Sequence, residues 1–120
     1  RGEKMTTQTC KDRIEGEWAN TRQDLNRSTD EELSDTKHGK FLSYDYVESK
    51  MYNSTRKNNA SIGYWRYQMS WGGPSDEIRF YDNDKVTYAF LDWFDGAEID
   101  ITDEPVVDKL RMALPDHEVY

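Results

Sequence analysis

Tyr64-Trp65-Arg66-Tyr67-Gln68-Met69-Ser70-Trp71-Gly72-Gly73-Pro74-Ser75-Asp76-Glu77-Ile78-Arg79-Phe80-Tyr81, continued by Asp82-Asn83-Asp84-Lys85-Val86-Thr87-Tyr88-Ala89-Phe90-Leu91-Asp92-Trp93-Phe94, decides the fold. Most of the chain's aromatic residues lie in this stretch, and turn residues cut it at short intervals. Trp65, Tyr67, Met69 and Trp71 alternate with Tyr64, Arg66, Gln68 and Ser70, which is the period of a strand with one face on a core. Gly72-Gly73-Pro74-Ser75 reads as a turn, because glycine reaches positive φ and proline has no N–H for a ladder. Ile78 and Phe80 mark a strand over Glu77–Tyr81, and Asp82-Asn83-Asp84 a second turn. Lys85–Phe94 is a third strand. Asp95-Gly96 then carries the signal of a two-residue hairpin, with Ala97, Ile99 and Ile101 on the returning strand. The stretch predicts an antiparallel meander.

Outside the meander the patterning turns helical. Thr9 and Asp12 form a capping-box signature ahead of Ile14, Trp18 and Leu25, which share one helical face with Thr21 between them. Arg13 and Glu17 are spaced for an i,i+4 pair. Residues 26–40 are polar, with a short helical turn starting near Thr29-Asp30. Leu42, Tyr44 and Tyr46 alternate against Ser43 and Asp45 as a further strand, and residues 48–61 read as a mobile loop. Thr102-Asp103-Glu104-Pro105 opens a last helix with the stripe Val106, Val107, Leu110, Ala113 and Leu114, which Pro115 stops. The fold class is therefore α+β. It comprises a β-meander of four to five strands with an N-terminal and a C-terminal helix packed on the sheet. Residues 1–8 form a flexible N-terminus and residues 9–120 one domain. Met5-Thr6-Thr7 reads as a natural start, with residues 1–4 upstream of it.

Composition bounds the function. Charged residues make up 33% of the chain and hydrophobic residues 35%, so the core is thin and rests on aromatic area. The net charge is -8 and is uneven. Residues 1–89 hold 15 acids against 14 bases, whereas residues 90–120 hold 9 acids against 2 bases, a local net of -7. Such a chain lacks the basic surface that phosphate binding needs, so direct nucleic-acid binding is excluded. An acidic last quarter suits a basic protein surface, or serves solubility alone. No apolar run has the length of a membrane helix. Cys10 is the single cysteine, so no disulfide forms within the chain.

Asp92, Asp95, Glu98 and Asp100 fall on neighbouring hairpin strands. A close carboxylate pair could do acid–base chemistry or hold a hard cation, but the spacing of a calcium loop is absent. Outward acids on an edge strand also block aggregation. His38, His117 and Cys10 lack metal-ligand spacing, and no nucleophile elbow or phosphate loop is present. The expectation is no catalytic residue, no metal and no cofactor. Trp93, an aromatic in an acidic rim, reads as a protein-binding anchor.

Ser70-Trp71-Gly72-Gly73-Pro74-Ser75-Asp76-Glu77-x-Arg79-Phe80 and Phe90-Leu91-Asp92-Trp93-Phe94-Asp95-Gly96-Ala97 resemble a group of small acidic proteins of plasmids, phages and other mobile elements. Leu42–Val47 and Gly63–Gln68 are similar to the same group. The resemblance covers residues 40–100. It implies a genetic setting in which small acidic proteins often inhibit host restriction or CRISPR systems, and it assigns no catalytic residue. The leading expectation is a non-enzymatic anti-CRISPR or anti-restriction protein in the cytoplasm of a bacterial host. Asp92, Trp93, Asp95, Glu98, Asp100, Asp103 and Glu104 would meet a basic, nucleic-acid-binding surface of a host defence complex. A small hydrolase with a carboxylate pair, and a structural or regulatory partner protein, are the alternatives. Oligomeric state is left open.

Overall fold

The computed structural model describes residues 9–34, 41–48, 63–72, 74–92 and 95–114. In chain order these form α1 (Cys10–Arg27), α2 (Asp30–Ser34), β1 (Ser43–Val47), β2 (Tyr64–Ser70), β3 (Pro74–Tyr81), β4 (Val86–Asp92), β5 (Asp95–Asp100) and α3 (Pro105–Ala113). The strands make one antiparallel sheet in the order β1-β2-β3-β4-β5. The expected α+β meander with helices at both ends is what the chain forms.

Strand alternation sends two kinds of side chain to two faces. Tyr67, Ile78, Phe80, Val86, Tyr88, Phe90 and Ile101 join Ile14, Trp18 and Leu25 of α1, Leu33 of α2, and Val106, Val107 and Leu110 of α3 in one buried cluster. Full burial of such side chains is worth about 1.5–3 kcal/mol each, which offsets the low hydrophobic content. The Trp18 and Tyr88 rings meet at 5.0 Å. The buried Tyr67 hydroxyl donates to the Leu33 carbonyl, fixing α2 over β2. Arg111 of α3 lies over the Phe80 ring.

The helices start where the caps say. Thr9 and Asp12 exchange both bonds of the capping box. Thr29 and Glu32 do the same at α2. Pro105 occupies the first turn of α3 behind Glu104 as N-cap.

The other face of the sheet is polar. Arg79 Nε donates to Glu77 Oε2 at 2.6 Å, and its Nη1 reaches Glu98 Oε1 at 3.3 Å. Glu98 also accepts from the Tyr81 hydroxyl at 2.6 Å and the Thr87 hydroxyl at 2.5 Å. Tyr64 lies under the Arg79 guanidinium. Arg66 pairs with Asp45 across β1 and β2.

Three local expectations are corrected. Trp71, expected in the core, is 60% exposed. The register shifts between Gln68 and Ser70, and Ser70 then pairs with Asp76, so the alternation breaks before Trp71. The strand expected at Glu77 begins at Pro74, which pairs with Asp92; the first residue of a strand tolerates proline. Asp95-Gly96 is not the hairpin turn. Asp92 pairs with Asp95 and Leu91 with Gly96, so both residues belong to β5. A register displaced by four positions leaves the same side chains on the core face, so hydrophobic alternation cannot separate the two. Asp95 decides between them, because its carboxylate is held by the start of α1. The Asp82-Asn83-Asp84 turn forms as read, with Asp84 at φ 73°. The expected loop at residues 48–61, His38, His117 and Pro115 fall outside the described residues, apart from Glu48.

Candidate partner-binding site

The acids of residues 92–104 do not form one surface. Asp92 Oδ2 accepts from Arg13 Nη1 at 2.8 Å, and the same guanidinium lies over the Phe90 ring. Arg13 therefore pairs with β4, not with Glu17 as the helical spacing suggested. Asp95 Oδ2 accepts the main-chain N–H of Cys10 at 2.7 Å, and its Oδ1 accepts that of Gly96. The Cys10 N–H bond is the main reason its carboxyl lies below the usual aspartate range. Burial, then the Asp95 charge, push the Cys10 thiol up. Asp92 and Asp95 clamp the start of α1 to the β4–β5 hairpin. Trp93 lies outside the described residues.

Glu98 and Asp100 stand on the opposite, polar face. Glu98 is tied to Arg79, Tyr81 and Thr87 as described above. Asp100 Oδ1 accepts from the Thr102 hydroxyl at 2.6 Å and from the Thr102 N–H at 2.9 Å. These bonds hold its carboxyl below the ordinary value, with Lys85 adding to the effect. Asp103 is exposed, and Glu104 pairs with Arg22 at 3.1 Å. Asp100, Asp103 and Glu104 line one open groove of about 330 Å³ with Ile101 and Pro105. Glu98 and Asp100 line a second of about 450 Å³ with Tyr81, Asn83 and Lys85 among its walls. Asp100 is common to both, so the two depressions adjoin. Four of the seven expected residues thus come together, at the corner between β5 and α3.

Asp95 and Asp100 differ from a general acid in the direction of their shift. A general acid needs a carboxyl pushed upward by burial. Asp95 and Asp100 move downward instead. Among the described residues no group of three His, Cys, Asp or Glu side chains is placed to hold a metal. Nor is any described helix long and apolar enough to cross a membrane.

Sequence reasoning missed two residues of the polar face. Arg79 centres the Glu77–Glu98 network; the Glu77-x-Arg79 spacing, which puts both on one strand face, was the available signal. Lys85 enters the larger groove from the turn after β3, and no local pattern announces it. No known family, no curated protein and no solved structure matches the chain.

Proposed function

We propose that the protein is a non-enzymatic inhibitor that binds a basic, nucleic-acid-binding surface of a host defence complex, of the restriction or CRISPR kind, inside a bacterial cell. The observation that carries this reading is the corner where Glu98, Asp100, Asp103 and Glu104 line two adjoining grooves. Residues 95–104 contain five acids and no base. Arg79, Arg22 and Lys85 offset part of this charge, and the remaining excess of acids favours a basic partner and disfavours nucleic acid. The protein competes with nucleic acid for its target and does not bind it directly.

The test uses purified restriction and CRISPR effector complexes with the wild-type protein and an Asp100→Asn, Asp103→Asn, Glu104→Gln variant. Salt-sensitive binding that blocks nucleic-acid loading, lost in the variant, supports the reading. Inhibition that survives removal of the three charges refutes it.

A further inference from the structure

β5 ends the sheet, and its outer side has no strand beside it among the described residues. The phase of its ladder follows from one bond. The Ile101 N–H donates to the Val86 carbonyl, so Ile101 faces β4. Backbone groups alternate sides along an antiparallel edge strand. Ile99, Ala97 and Asp95 therefore face β4 as well, while Gly96, Glu98 and Asp100 turn their N–H and C=O groups outward. The Gly96 N–H agrees with this phase, since it is taken by the Asp95 side chain and not by β4.

The same three residues share the polar face. A strand laid along β5 would meet Glu98 and Asp100 with its own backbone and with the side chains directly opposite them. Opposed charges on paired strands attract, and like charges repel. On the helix-covered face, Ala97 and Ile99 are only half-buried against the core cluster and would accept apolar neighbours. The complementary strand is therefore basic, apolar, basic.

The sheet's other edge differs. β1 carries a single acid, Asp45, paired with Arg66, whereas β5 presents two on one face, Glu98, which shares Arg79 with Glu77, and Asp100. A second copy of this chain is a poor occupant for β5, because acids would oppose acids across the seam.

We infer that the partner contributes an extended segment with Lys or Arg at alternate positions, which adds to the sheet alongside β5 and sets its cations against Glu98 and Asp100. This rests on the acidic-corner reading above and specifies how the basic partner is held.

The experiment titrates the isotope-labelled protein with an Arg-Val-Arg-Val-Arg peptide at low salt. Two controls are used: the same peptide N-methylated on the residues that would pair, and the isomer Arg-Arg-Arg-Val-Val. Strand addition predicts slowed amide exchange at Glu98 and Asp100. It also predicts that N-methylation weakens binding about tenfold or more, since more than one main-chain hydrogen bond is lost at unchanged charge. Equal binding of the parent and N-methylated peptides, or no protection of those two amides, overturns the inference. So does the absence of binding by the parent peptide. None of these results touches the acidic-corner reading, which stands or falls with the defence-complex assay.

Discussion

Asp95 Oδ2 receives the Cys10 N–H at 2.7 Å across 85 residues of sequence. The acceptor sits on the edge strand and the donor at the first turn of α1, where main-chain N–H groups lack partners within the helix. Asp95→Ala lowers the Tm more than Asp103→Asn does, because Asp103 makes no comparable contact. Thermal melts of the two variants check this.

Acid titration follows from the same bond. The carboxyls of Asp95 and Asp100 lie below the ordinary aspartate value in the folded protein. A depressed folded value means that their stabilisation is complete above the unfolded pKa, about 3.9, and is lost as pH falls through the folded values. The wild-type Tm therefore drops below about pH 4, and Asp95→Asn flattens that drop. Melts across the acid range decide it.

Alkaline titration has the opposite sign. The Tyr46 hydroxyl is pushed up to about 12, chiefly by its hydrogen bond to Asp82. Tyr81 is also pushed up to about 12, by burial first and by Glu98 second. A raised folded value gives stabilisation that is complete below the unfolded pKa of about 10 and fades as pH rises through the folded one. Burial raises Tyr44, Tyr64, Tyr67 and Tyr88 as well, so phenolate absorbance shows a group of late-titrating tyrosines, from which Tyr46→Phe and Tyr81→Phe each remove one.

Arg79 and Glu77 form the most enclosed ion pair among the described residues, with side chains 18% and 5% exposed. Burial works against the arginine charge, but Glu77 outweighs it and holds the guanidinium above its usual value. Arg79→Met strands the Glu77 carboxylate and costs about 3–5 kcal/mol. Arg79→Met combined with Glu77→Gln is more stable than Arg79→Met alone, because no buried charge is left unpaired. Urea unfolding of the three proteins measures this.

Leu110 is fully buried between α3 and the core, whereas Met112, two residues on, is 82% exposed. Leu110→Ala costs about 2–5 kcal/mol. Met112→Ala stays within about 0.5 kcal/mol of wild type. Similar losses from both changes would mean that α3 is rotated on the sheet.

What the sequence disclosed was what local physics determines. Thr9 with Asp12, the Ile14–Trp18–Leu25 stripe, Pro105 and the alternation of Tyr67, Ile78 and Phe80 each mean one thing in a short window, and each holds. Trp71 misled because one irregularity at Gln68–Ser70 reverses the alternation without any marker residue. The pairing of the acids was hidden for a different reason. Composition shows that charge accumulates after residue 90, but not which cations meet it. Arg13 reaches Asp92 and Arg22 reaches Glu104 from 79 and 82 residues away. These ion pairs join residues far apart in sequence, and no local pattern could name the partners.

The clamp on α1 also sets an order of events during synthesis. α1 leaves the ribosome before Asp92, Asp95 and Glu104, which hold it and follow it by 79 to 85 residues. Contacts this distant in sequence form late and slow the search for the native state. Until they form, Ile14, Trp18 and Leu25 have no sheet to cover them. The nascent chain therefore carries an uncovered amphipathic helix until β4 and β5 have been made.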